Sequence, residues 1–177
     1  RSIARSDPGR NRLQDAAWLA QLEEEIIDPG RPICDPHHHL WDRNGSRYLL
    51  DELLADIDSG HHVVSTVFVE CESMFSIDVP AHLAPVGETE FVQGIAAMSS
   101  SGLYGDCRVA AGIVSFADLT LGEDVRQVLE AHLSVAPVRF KGIRHAASWH
   151  ASGEIRNSHS DPIEHLMLDE QFNRGLA

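Results

Sequence analysis

The 177-residue sequence predicts an α/β fold with parallel strands, of the (β/α)8 barrel type, and three observations carry that prediction. Helical and strand-like patterns alternate along the chain, a helix first and then strand and helix four times, which argues for parallel strands joined by helical crossovers. The strand segments are short, apolar and rich in β-branched residues, as strands covered on both faces must be. The turn after the first strand reads Pro36-His37-His38-His39, without the glycines that an open dinucleotide-binding sheet carries there. A complete barrel takes about 250 residues in eight units. Residues 32–177 are therefore expected to be its first half, about four β-α units, behind an N-terminal lead-in and helix over residues 1–31.

Each element has a local signal. Asp7-Pro8-Gly9 marks a flexible opening. Trp18, Leu22 and Ile26 recur every four residues with Leu19 beside them, predicting a helix over 11–27 that Asp28-Pro29-Gly30 stops. A first strand is expected over Ile33–Leu40. Leu50, Leu53, Leu54 and Ile57 repeat at helical spacing, and Ser59-Gly60 closes that helix. Val63–Val69 is the clearest strand. Past the loop with Pro80 and Pro85, Phe91, Ile95 and Met98 indicate another helix, and a third strand is expected over Val109–Phe116. Thr120 with Glu123 fits a capping box ahead of a helix whose apolar face is Val125, Val128, Leu129 and Leu133. A fourth strand is expected over Val138–Ala146, a polar loop over Ser148–Asp161, and a last helix from near Asp169.

Composition narrows the function. With 43% hydrophobic and 23% charged residues, this is ordinary globular material. Lys plus Arg number 14 against 27 Asp plus Glu, a formal charge of -13, which repels phosphate backbones and anionic lipid. Neither nucleic acid nor a membrane is expected as a partner; a small molecule is, and a homo-oligomer is compatible with the reading. No uncharged run approaches the roughly 18 apolar residues of a membrane span, and the opening residues carry no secretory-leader pattern. Cys34, Cys71 and Cys107 lack C-x-x-C spacing and have apolar flanks, so they read as buried core thiols in a reducing, cytoplasmic setting.

The chemistry concentrates in Asp35-Pro36-His37-His38-His39-Leu40-Trp41-Asp42. Side chains alternate faces along a strand, so His37 and His39 point one way with Asp35, and His38 packs behind. Two imidazoles so placed can grip one divalent metal, zinc above all and manganese also, or can hydrogen-bond a substrate. Glu70 ends an apolar strand; it can ligate, accept a substrate hydroxyl or orient an imidazole. Arg144 and Lys141 fall on opposite faces of the fourth strand, and either could anchor a substrate carboxylate against the acidic background, with His145 as a further candidate. Trp41 is expected to wall the pocket or pack in the core. Glu72 and Asp78 read as loop charges, and His61 and His62 as structural residues at the strand end away from the site. His82, His132, His150, His159 and His165 read as surface residues. No G-x-S-x-G elbow, G-x-x-x-x-G-K loop or zinc knuckle is present.

The stretch Ile33-Cys34-Asp35-Pro36-His37-His38-His39-Leu40-Trp41 resembles the first-strand signature of the amidohydrolase-related (amidohydrolase 2) TIM-barrel family of lactonase-like and decarboxylase-like enzymes. Val67-Phe68-Val69-Glu70-Cys71 and Phe140-Lys141-Gly142-Ile143-Arg144-His145 agree with it, and the likeness runs from about Pro32 to Ala177. It implies a rim site with His37 and His39 as the His-x-His metal pair, completed by a His and an Asp beyond Ala177, although some lactonase relatives work without a metal. The activity it implies is opening of a lactone or related cyclic ester or amide by a metal-activated water. Non-oxidative decarboxylation of an aromatic or muconate-type acid is the alternative, and a non-catalytic relative that docks through its first helix is another.

Overall fold

The computed structural model describes residue 17 and residues 20–22, 24–43, 45–155, 157–158 and 160–177. Four strands form one parallel sheet: β1 (Ile33–His38), β4 (Val63–Val69), β5 (Arg108–Ser115) and β6 (Phe140–Ile143). Strands β2 (Trp41–Arg43) and β3 (Ser46–Tyr48) make a small antiparallel hairpin beside it. Helices α1 (Leu50–Ile57), α2 (Val86–Ser100), α3 (Val125–Val135) and α4 (Glu170–Leu176) follow in chain order. Among the described residues the sheet order is β1-β4-β5-β6, so β1 and β6 are its edges and the sheet does not close. This overturns the (β/α)8 barrel expected from the sequence: the described residues form a small α/β domain with a four-stranded parallel sheet and the four helices named. Alternation of strands and helices is common to open and closed sheets, so it specifies which strands are neighbours and says nothing of closure.

Phe68 and Ile113 from the middle strands meet Leu50 and Leu53 of α1 and Val92 and Ala96 of α2, with Leu40, Val109 and Cys107 completing this core. A second core lies at the C-terminal side, where Leu119, Val125 and Val128 enclose Phe172 of α4 and Leu166. Asp169 caps α4 by accepting the Phe172 N–H at 2.8 Å, where the sequence places that start. The capping box at Thr120 does not form. Asp118 instead accepts the N–H and hydroxyl of Thr120 (2.9 and 2.6 Å) and caps a 3-10 stretch over Leu119–Asp124, which Gly122 at φ 61° interrupts before α3 begins.

Other boundaries also move. Ala17 is helical, but residues 20–22 and 24–27 are turn or irregular; the rest of the helix expected over 11–27, Trp18 and Leu19 included, lies outside the described residues. Leu22 and Ile27 are 72% and 98% exposed. β6 is shorter than Val138–Ala146 because the Phe140 N–H turns back to the Ala136 carbonyl and the sheet ladder runs out after Ile143. The thiols are not three core groups: Cys34 is exposed, Cys71 half-buried and Cys107 buried, all free. His132 is fully buried, because one residue per turn of α3 (Val125, Val128, His132) faces inward and the ring finds partners there. His159 lies outside the described residues.

Candidate functional site

The site sits where β1 and β4 end. β1 pairs Asp35 with Thr66 and His38 with Phe68, three steps against two, so it carries one extra residue. The bulge puts Asp35 in register with the same face as His38 rather than with the outer histidines, correcting simple alternation through Pro36. Asp35 still braces the turn by accepting the His37 N–H at 3.0 Å. Around the bulge, His37 and His39 converge: their Nε2 atoms lie 3.2 Å apart and the rings meet edge to face. His38 points into the core, 7% exposed, its Nε2 2.9 Å from Thr66 Oγ1 and its edge on Phe68.

One contact fixes the chemistry of this pair. His39 Nδ1 lies 2.7 Å from the Val69 carbonyl oxygen. A carbonyl can only accept, so Nδ1 carries the hydrogen and, in the neutral ring, Nε2 keeps its lone pair. Burial lowers the pKa of His39 and favours that neutral form, outweighing the carbonyl bond, with the Arg144 charge acting in the same direction. His37, exposed to solvent, can donate its Nε2–H to that lone pair. Two nitrogens 3.2 Å apart also suit one cation at the ~2.1 Å of a zinc–imidazole bond, where they subtend about 100°. The pair therefore fits a divalent metal by donor type and spacing, and His39 also by its tautomer. Among the described residues no cluster of three or more His, Cys, Asp or Glu side chains gathers to hold one.

Glu70 follows Val69 and is fully buried. Its carboxylate turns to Arg144, which donates from Nε to Oε1 at 2.6 Å and from Nη2 to the Glu70 carbonyl at 2.7 Å. The backbone holds this pair in register, since Glu70 N–H reaches the Val114 carbonyl and Arg144 N–H that of Ser115. Arg144 is about a third exposed, so its guanidinium is anchored on one side and open on the other. His39 orientation comes from the Val69 carbonyl, a backbone group that no side-chain pattern reveals.

The other candidates separate from this group. Lys141 is exposed on β6, where its Cγ would lie 3.5 Å from a Cβ built at Gly112. His145 is drawn into the second core: its Nδ1 accepts the Leu119 N–H at 3.1 Å and its ring lies between Phe116 and Phe172. Trp41 stacks on Tyr48 at 5.0 Å across the hairpin. Together with Asp35, the three histidines, Asp56 and Leu53 these rings line a cavity of about 330 Å³ against α1. The Tyr48 hydroxyl donates to Asp56, and burial together with that bond raises its pKa. Residues that sequence reasoning missed here are Arg43, whose Nη1 donates to the Cys71 carbonyl at 2.8 Å, and Tyr48. The pair Asn44-Gly45 is a hairpin signal that could have found the element carrying both.

No protein-family model matches the chain, and no solved structure matches it. Among curated proteins, the uncharacterized protein y4mH of Sinorhizobium fredii is 28% identical over 143 residues, covering 68% of this chain and 42% of that protein. The chain thus spans less than half the length of the curated relative it matches. Among the described residues, no helix is long and apolar enough to cross a membrane.

Proposed function

We propose that the protein is a hydrolase that opens a lactone or related cyclic ester or amide of a small carboxylated substrate at the His37–His39 pair. One observation carries the reading: two imidazole Nε2 atoms converge at 3.2 Å, and the Val69 carbonyl fixes one of them as a lone-pair donor. The likeness of Ile33–Trp41 to amidohydrolase-type signatures supports the same chemistry.

His37 and His39 would hold a divalent cation, zinc or manganese, with at least one further donor needed to complete the set. Such a cation supplies Lewis acidity, lowering the pKa of a water and polarising a carbonyl. Arg144 offers the open side of its guanidinium to the substrate's acid group, and Glu70 holds that guanidinium in place. Lys141, exposed on β6 apart from this group, takes no direct part; on a chain of net charge -13 the local positive charge an anionic substrate needs comes from Arg144. His145 is engaged in packing and takes no part in this scheme. Three free thiols support a reducing, cytoplasmic setting.

The test combines binding and turnover. The full-length protein is titrated with Co2+, read by its visible absorption, and assayed for lactone opening, as are His37→Ala and His39→Ala. Each variant is expected to lose affinity by about 100-fold and to lose turnover while circular dichroism stays native. Unchanged Co2+ binding and turnover in both variants would overturn the proposal, and carbon dioxide release without ring opening would replace hydrolysis by decarboxylation.

A further inference from the structure

The segment leaving β4 carries two parts of the site, the Val69 carbonyl and the Glu70 carboxylate, and then turns through unusual backbone. Glu72 (φ 58°) and Met74 (φ 56°) both adopt the left-handed region, which non-glycine residues enter only when the surroundings hold them there. The holding group is Glu88, in the first turn of α2 and 1% exposed. Its Oε1 accepts the backbone N–H of Cys71 at 3.1 Å and of Ser73 at 2.8 Å, the residues on either side of Glu72. Its Oε2 is buried and has no partner among the described residues. The neighbouring Gly87 brings backbone onto backbone: a Cβ there would fall 2.7 Å from the Met74 oxygen and 2.8 Å from the Ser76 nitrogen. A long carboxylate reaching from this closely packed helix start is thus the strut of the turn.

We infer that Glu88 is a positioning residue for the histidine site. By tying the backbone at 71 and 73 it fixes the exit of β4, and so the carbonyl that sets the His39 tautomer and the carboxylate that anchors Arg144. This rests on the proposed function for the reaction served, whereas the positioning itself can be read without it. A merely structural clamp would change stability and leave the imidazole untouched.

The experiment compares Glu88→Gln, Glu88→Asp and Glu88→Ala with the unaltered protein by 15N NMR of the His39 ring and by Co2+ titration, with urea unfolding alongside. Gln keeps a carbonyl at the Oε1 position and is expected to preserve the Nδ1–H tautomer and a Co2+ affinity within a few-fold. Ala, and Asp with its shorter reach, are expected to mix the two tautomers and to weaken Co2+ binding about 10-fold or more, the usual scale for groups that orient ligands. Should Ala not fold, Asp decides by the same readouts. Loss of urea stability with an unchanged His39 tautomer and unchanged Co2+ affinity would overturn the inference. If the unaltered protein binds no Co2+, the metal reading fails by itself, and the tautomer measurement still decides the role of Glu88.

Discussion

Acid separates His38 from its neighbours in a way that can be measured. The ring is 7% exposed behind β1, and its Nδ1 has no partner among the described residues. Burial lowers its pKa from 6.5 to about 4, against an opposing pull from Asp35. The unfolded chain therefore takes up a proton near pH 6.5, while the folded protein resists until about pH 4. Stability that His38 contributes in full above pH 6.5 is lost as the pH falls towards 4. At about 1.4 kcal/mol per pH unit, that window amounts to about 3 kcal/mol. Glu88 runs the opposite way: burial raises its carboxyl to about 7, so its contribution is full below 4.5 and lost as the pH rises through 7. The unaltered protein alone therefore mixes two opposed trends. The clean quantity is the difference in urea-unfolding free energy between it and His38→Gln, measured from pH 8 to pH 4, where other groups cancel. The unaltered protein is expected to lose about 3 kcal/mol relative to the variant across the window. A difference that stays flat from pH 7 to 4 would refute the argument that burial governs this ring.

Arg144→Ala leaves the fully buried Glu70 carboxylate without its guanidinium, and urea unfolding should show a loss of about 3 kcal/mol, the low end for a broken buried pair since Arg144 is a third exposed. A loss below about 1 kcal/mol would mean that solvent replaces the arginine without difficulty. Gly175→Ala should loosen α4, because the new methyl would overlap the Leu119 carbonyl, and limited proteolysis should then cut near residue 166 sooner than in the unaltered protein. Thiol titration of the native protein should find one fast group, the exposed Cys34. Cys107 is buried and burial pushes the Cys71 thiol up to about 12, so both should react only on unfolding.

What the sequence disclosed was what depends on near neighbours. Val63–Val69 forms a strand over the residues its β-branched run indicates, and Leu50, Leu53 and Ile57 build α1 at their spacing. The His-x-His spacing also sufficed to bring His37 and His39 onto one point. What it hid depends on partners far along the chain. The bulge in β1 exists only relative to β4, so alternation placed Asp35 on the wrong face. His132 sits in a polar-looking segment, yet it is buried because Thr89, 43 residues earlier, and the Phe116 carbonyl both reach its ring. Sheet closure is likewise a pairing of first and last strands that no local pattern encodes, and the four strands here leave it open.

The site's geometry converges on three consecutive residues at the end of β4. The Val69 carbonyl is held by His39 of the first strand's exit, the Glu70 carbonyl and carboxylate by Arg144 beyond β6, and the Cys71 carbonyl by Arg43 of the hairpin. The Cys71 N–H goes to Glu88 of α2. Four elements thus meet on one short piece of backbone through five hydrogen bonds, and two of the elements, the hairpin and α2, share the grip on Cys71. A strand end satisfied in this way is stiff, which is what a pair of imidazoles needs if it is to present lone pairs at a fixed separation. The acidic surface of the chain has little part in this. The positive charge that matters is local, carried by Arg43 and Arg144 towards the one stretch of backbone that also orients His39.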